Sequence, residues 1–388
     1  MNTIELSEQY LMKTYGHQPV AMRSGSRSVC AAEDGKSYID FGSGIGVNSL
    51  GYCNADWADA VCAQVREIQH TSNYYFTGVQ AKFAQQLCTM TGYSRVFLGN
   101  SGAEANECAI KVARKYSFDR YGKGRGTIVT LQNSFHGRTL ATLAATGQDV
   151  FHNYFFPFPD GFAYAEANNL ADLQAKLDGT VCAVMMEMIQ GEGGVNVLDR
   201  DYVQAAAKLC AQQDILLIVD EVQTGVGRTG TFLASEQFGI KPNITTLAKG
   251  LGGGLPIGAC LVDAVCADTF GIGTHGSTFG GNPVACAGAT AVLERVSEPG
   301  FLESVMDKGA YIREALESCP EVEEICGLGL MIGIRLKTMK ATDVLAAARN
   351  AGLLVLTAKD KVRLLPPLTI SKEELDAGLE ILLQILNP

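Results

Sequence analysis

Charge is scarce in this chain. Asp, Glu, Lys and Arg make up 19% of 388 residues, and acids outnumber bases by 41 to 31, for a net charge of −10. A general nucleic-acid binder needs a basic face to neutralise phosphates, so that class is excluded. Histidine is limited to five, and the twelve cysteines show no CxxC spacing, which leaves no metal site to expect. Long apolar runs are missing too. The longest uncharged stretch, 269–293, is long enough to span a bilayer, but it holds six glycines, Pro283, Asn282 and His275. It reads as a polar, glycine-rich loop leading into a buried helix. Residues 1–10 carry Glu5 and Glu8 and no apolar segment, so no secretory leader and no membrane partner are expected, and a cytoplasmic location is.

Apolar mass and glycine are plentiful. Hydrophobic residues reach 47% and glycines number 43, which excludes a disordered chain and supplies a large core. The length suits one large domain with a smaller one appended. A chain this long needs no disulfide staples. Cys62, Cys88, Cys182 and Cys210 sit in apolar runs, so buried free thiols are expected.

Through the middle of the chain, short apolar runs alternate with helical periodicity. Strands are expected at 95–98, 127–131, 181–186, 215–219, 244–248 and 259–262, with helices at 103–117, 170–177 and 202–213. Strands apolar on both faces and separated by helices predict an α/β domain, with a mostly parallel sheet flanked by helices. Beyond Pro283 the pattern becomes helices at 285–296 and 301–318, strands at 331–336 and 353–356, and a final helix at 372–386. That is a smaller α+β domain. Residues 1–57, with hairpin-like pieces around Gly35 and Gly44, are expected to join it. The division is therefore 58–285 against 1–57 with 286–388.

Asp220 stands at the carboxyl end of one apolar strand, where open α/β sheets present their ligands. A carboxylate there is costly unless a cation or strong donor meets it; alone, it reads equally as a helix cap. Lys249 follows another strand and precedes Gly250, Gly252, Gly253 and Gly254. Alone, it reads equally as a solvated loop lysine. Together the two suit pyridoxal phosphate, which needs a lysine amine for its aldehyde and an acid to keep its pyridine nitrogen protonated. Gly99–Ala103 joins a strand to a helix start, a place for a phosphate among free N–H groups. The hydroxyls and glycines of 277–283 form a second candidate anion loop.

The chain resembles the class III (ornithine-type) aminotransferases, enzymes of fold type I that use pyridoxal phosphate. The likeness runs almost end to end. It rests on NSGAEANE (100–107), FHGRT (135–139), QGEGG (190–194), DEVQTGVGRTG (220–230), LAKGLGGGLPIGA (247–259), HGSTFGGNP (275–283) and VRLLPPL (362–368). The resemblance implies that Lys249 bonds the cofactor and acts as general base, and that Asp220 pairs with the pyridinium. Gln223 would meet the phenolic oxygen, Phe135 would stack on the ring, and Val222 would be a further cofactor contact. Ser101, Gly102 and Ala103 would bind the phosphate, joined by Thr278 of a second subunit. The implied assembly is a homodimer with shared active sites.

For substrates the resemblance implies Arg138 for the distal carboxylate and Arg363 for the α-carboxylate of glutamate or 2-oxoglutarate. Tyr15 and Ser277 are further substrate contacts. Glu192 would pair with Arg363 while an ω-amine donor is bound and release it for glutamate. The Ser72-Asn73 pair and the KGLGGGLPIGA run are nearer to members that act on N-acetylornithine in arginine biosynthesis than to those acting on ornithine. Met188 stands where the family usually has proline, and GYCNADW (51–57) departs from its pattern. Ornithine, succinylornithine, N-acetyl-lysine-type compounds and 4-aminobutyrate remain alternatives. A racemase or aminomutase on the same fold would need Lys249 and Asp220 but no arginine–glutamate switch. A non-catalytic relative would have lost one of the two.

Overall fold

The computed structural model describes residues 1–387. The chain opens with a short helix, Thr3–Tyr10, followed by a small antiparallel sheet of β1 (Met22–Ser26), β2 (Val29–Ala32) and β3 (Ser37–Asp40). The β2–β3 turn uses Gly35 at φ +88°. Gly44 does not make a hairpin. It lies in a short helical turn, Ser43–Gly46, with both Gly44 and Ile45 at positive φ.

The central sheet contains β4 (Arg95–Gly99), β5 (Thr127–Leu131), β6 (Phe162–Ala165) and β7 (Val181–Met186). After a short ribbon of β8 (Ile189–Gln190) and β9 (Asn196–Val197), it resumes with β10 (Leu216–Asp220), β11 (Ile244–Leu247) and β12 (Gly258–Val262). Its order is β4-β12-β11-β10-β7-β5-β6. All neighbours are parallel except those of β12, which runs against both β11 and β4. The mostly parallel sheet is as the apolar runs predict. Edge strand β6, only four residues and half-buried, carries too little hydrophobic signal to stand out in the sequence.

β7, β10, β11 and β12 are buried at every position. Each large aliphatic side chain taken fully out of water there contributes about 1.5–3 kcal/mol. The helix Gly102–Tyr121 covers one face of the sheet. Ser101 caps it, its hydroxyl accepting the Glu104 N–H at 3.1 Å. The buried stripe of that helix runs Ala105, Asn106, Ala109, Val112, Ala113 and Tyr116, the spacing of a helix pressed on one side.

The third sheet is antiparallel: β13 (Val322–Leu328), β14 (Met331–Leu336), β16 (Leu356–Ala358) and β17 (Lys361–Leu364), in the order β13-β14-β17-β16. Residues 353–356 are not one strand. β15 (Leu353–Leu354) joins β3 in parallel, and the chain then crosses at buried Val355 into β16. Two sheets claim neighbouring residues, so the apolar run splits. Cys182 and Cys210 are buried as expected, but Cys62 is exposed and Cys88 half-buried. The helix Ala55–Glu67 buries only Gln64 fully, which leaves that thiol facing outward. Among the described residues, no helix is long and apolar enough to cross a membrane.

β12 and the turn after β4 approach closely. A Cβ on Gly258 would lie 2.1 Å from the Ser101 carbonyl oxygen, a backbone atom that cannot swing aside. Gly258→Ala is expected to destabilise the fold by about 1–3 kcal/mol. Urea unfolding would show this as a lower midpoint at unchanged slope; an unaltered midpoint would mean that the strand edge yields freely.

Candidate active site

Strands β4, β5, β7, β10 and β11 all end at one edge of the central sheet, where a cavity of about 340 Å³ opens. A cavity at that edge, with apolar walls and a few fixed polar groups, is where a small ligand belongs. Its walls combine Ser101–Ala103, Phe135–Gly137, Glu187 and Glu192, Asp220, Val222 and Gln223, Ala248 and Lys249, and the segment 254–257.

Asp220 ends β10 and is 4% exposed. Its Oδ1 accepts the Val222 N–H at 3.0 Å. Its Oδ2 accepts from Asn106 Nδ2 at 2.7 Å and faces His136 Nδ1 at 2.8 Å. Asn106 is itself held, donating to the His136 carbonyl and accepting from Thr246 Oγ1. A carboxylate this well ordered keeps one position and orientation. His136 Nε2 is buried without a partner among the described residues, so a polar group of the site still lacks its complement. Glu221, next in sequence, turns the other way. It accepts from Ala234 N, Ser235 N and Thr224 Oγ1, a structural role.

Lys249 follows β11 with φ +46°, a left-handed conformation that costs a non-glycine residue of order 1–3 kcal/mol and clusters at functional sites. Burial pushes its ammonium below the ordinary lysine range, with Glu192, Asp220 and Glu187 pulling back upward. An amine so placed has a larger neutral fraction than a surface lysine.

Glu192 and Arg363 meet across two sheets. Arg363 comes from β17 and is 3% exposed; Glu192 lies in the turn between β8 and β9. Arg363 Nη1 is 2.6 Å from Glu192 Oε1 and 3.1 Å from Gln223 Oε1, and Nη2 is 3.4 Å from Glu192 Oε2. Gln223 Nε2 also donates to Glu192 at 3.3 Å. Burial works to raise the Glu192 carboxyl, but the Arg363 charge and hydrogen bond outweigh it and hold it below the usual range. Arg363 Nε has no hydrogen-bond partner among the described residues.

The sequence candidates do not all converge. Ser101, Gly102, Ala103, Phe135, Glu192, Asp220, Val222, Gln223 and Lys249 line one cavity, and Arg363 reaches it through Glu192 and Gln223. Arg138 is exposed beside it, its guanidinium over the Phe151 ring at 4.2 Å and the Phe135 ring at 5.6 Å. Ser277 lies behind the anion turn, its hydroxyl accepting from Asn100 Nδ2. Thr278 lines a separate narrow depression with Ser72 and Asn73. Tyr15 is 78% exposed and stacks loosely on His17, outside the cavity.

Three polar residues of the site were not singled out by sequence reasoning: Asn106, His136 and Glu187. Asn106 left a signal, a polar residue within an otherwise apolar helix stripe. Glu187 accepts the Phe135 N–H at 3.0 Å and lines the cavity. Burial, and then the Asp220 charge, push its carboxyl well above the ordinary range.

The profile of the class-III aminotransferase family matches residues 10–386. An acetylornithine aminotransferase of Haemophilus ducreyi is 52% identical over 99% of this chain and 98% of that protein. The crystal structure of N-acetylornithine aminotransferase from Stenotrophomonas maltophilia superposes with a TM-score of 0.86 at 34% identity, over 99% of this chain and 98% of that one. An ornithine aminotransferase of Toxoplasma gondii, solved with partial occupancy of pyridoxal phosphate at its active site, gives 0.93 at 32% identity, over 99% and 93%. The chain belongs to the class-III aminotransferases.

A carboxyl raised by folding costs nothing below its unfolded value near 4.5 and destabilises the folded state as pH rises above it. Glu187→Gln keeps an acceptor for Phe135 and removes the charge. It is expected to raise the melting temperature of the ligand-free protein at neutral pH and to change it little at about pH 4. An equal shift at both pH values would show that the charge plays no part.

Proposed function

We propose that this aminotransferase binds pyridoxal phosphate in the strand-end cavity and moves the ω-amino group of N-acetylornithine to 2-oxoglutarate. The products are N-acetylglutamate semialdehyde and glutamate, a step of arginine biosynthesis. The observation that carries the reading is the meeting, in one cavity, of a buried lysine, an acid held by three donors, a helix N-terminus and an arginine–glutamate pair. The residues fit the cofactor. Unpartnered His136 Nε2 and Arg363 Nε leave polar capacity in the site, and the free N–H groups at 102–103 suit a phosphate. The likeness to the Haemophilus and Stenotrophomonas enzymes supports N-acetylornithine as donor.

When bound, pyridoxal phosphate supplies an aldehyde that exchanges amines and a cationic ring that draws electrons from the adjoining carbon. Asp220 would hold the proton on the ring nitrogen; its three hydrogen-bond partners keep it aimed. Phe135 and Val222 would fix the ring plane, and Gln223 would donate to the phenolic oxygen. Lys249, with its neutral fraction raised by burial, would be the base that takes the proton from the substrate carbon bearing nitrogen and would deliver it to the carbon on the other side of that nitrogen. Arg138, at the cavity side, would hold the distal carboxylate of the acylated donor. Arg363 is closed off by Glu192 as the structure stands. It suits an ω-amine donor, which brings no α-carboxylate to that place, and it opens when glutamate does.

A second copy of the chain would complete the site. Thr278 sits apart from the cavity of its own chain, beside exposed Tyr75 and near Phe279. Uncovered aromatics of that size mark an interface, and the reading is a homodimer in which Thr278 reaches the partner's phosphate.

Lys249→Ala is expected to abolish transamination with the circular dichroism spectrum unchanged. Borohydride should fix cofactor to the wild-type chain at Lys249 and fail to fix it to the variant. Turnover near wild type would overturn the assignment. A panel of N-acetylornithine, N-succinylornithine, ornithine and 4-aminobutyrate against 2-oxoglutarate tests the donor.

Glu192→Gln leaves Arg363 open to a carboxylate at all times. The glutamate half-reaction should persist or improve while the acetylornithine half-reaction weakens. One charge-assisted pair is worth about 1.5–3 kcal/mol, roughly ten- to a hundredfold in relative preference. Single-turnover spectra of each half-reaction measure this, and equal slowing of both would remove the gating role.

A further inference from the structure

Cys326 of β13, Gly333 of β14 and Arg363 of β17 are successive cross-strand partners. Such a row shares one face of the sheet, and Lys361, two residues before Arg363, lies on that face as well. The middle position is bare. A Cβ on Gly333 would stand 2.9 Å from Cys326 Sγ and 2.8 Å from Val195 Cβ. Lys361 therefore reaches across β14, and its Nζ lies 3.1 Å from Cys326 Sγ. The same ammonium touches Glu324 Oε2 at 3.3 Å and Asn196 Oδ1 at 3.5 Å. The Lys361 side chain is 3% exposed, and Cys326 is half-buried. A small solute can reach the sulfur, while the amine has little room to leave it.

We propose that Cys326 and Lys361 form an oxidisable pair that closes into a covalent sulfur–nitrogen bond when the protein meets a hydroperoxide. The Cys326 thiolate attacks one oxygen of hydrogen peroxide. An S–O bond forms and the O–O bond breaks. The departing hydroxide takes a proton from the Lys361 ammonium and leaves as water. The amine, now neutral, attacks the sulfur of the sulfenic acid. An S–N bond forms, the S–O bond breaks, and the hydroxyl leaves with a nitrogen proton as a second water. Sulfur gives up two electrons, and the peroxide takes them. Thiolates are the species that peroxides oxidise, and sulfenic acids condense with a nearby nitrogen when one is held in place. An excess of a small thiol reverses the bond by attack on sulfur, which releases the lysine amine. The bond would tie β13 to β17 two residues from Arg363, on the strand that carries the carboxylate-binding guanidinium.

The test treats the full-length, cofactor-loaded enzyme with hydrogen peroxide, alkylates free thiols and maps peptides by mass without reduction. Expected is a peptide pair joining Cys326 to Lys361, lighter than its two parts by two hydrogens and released by dithiothreitol. Lys361→Arg keeps the cation but offers no amine for the bond, so Cys326 should then run on to the sulfinic acid. Cys326→Ser should abolish the joined peptide. The proposal falls if wild-type Cys326 is found only alkylated, only as sulfinic acid, or in a disulfide with another cysteine.

Discussion

Everything in the site is referred to one buried carboxylate. Asp220 sits at the end of a strand enclosed on both faces, where an uncompensated charge would be prohibitively costly. The chain compensates it with three donors from three places: the Val222 N–H of its own turn, Asn106 from the covering helix, and His136 from the loop after β5. Each donor is in turn a wall of the cavity. Fixing the acid thus fixes the helix whose N-terminus faces the ligand and the loop that carries Phe135. Thr246, on the neighbouring strand, locks Asn106 and joins β11, and with it Lys249, to the same network.

A second constraint crosses between sheets. Arg363 belongs to the antiparallel C-terminal sheet and Glu192 to a loop leaving the central one, yet their side chains meet at 2.6 Å. The pair is half-buried on the Glu192 side, while the Arg363 side chain is only 3% exposed. Gln223 touches both partners and links them to the Asp220 turn. The arginine–glutamate pair therefore sits close to the Asp220 turn, though its arginine comes from a different sheet.

Much of this was legible in the sequence. Continuous apolar runs such as 181–186 and 215–219 read as strands covered on both faces, so the mostly parallel sheet followed from their pattern along the chain. Polar residues directly after such runs, Asp220 and Lys249, had to be either compensated or functional. Weaker were features whose signal is divided between neighbours: β6 is short and half-buried, and 353–356 serves two sheets. The apolar neighbours of Cys62 predict burial, but they lie on a helix that buries only Gln64 fully, so the thiol faces outward.

By itself the sequence determined the candidates for the chemistry, because an amine, a carboxylate, a guanidinium and a glycine turn are each given by residue type and by place along a strand. Only the tertiary structure decided how they are held. Asn106, His136 and Glu187 act through hydrogen bonds between segments 30 to 114 residues apart. The Arg363–Glu192 contact spans 171 residues. Local propensity and period carry no information about such distances; packing of the sheets alone brings these groups within reach.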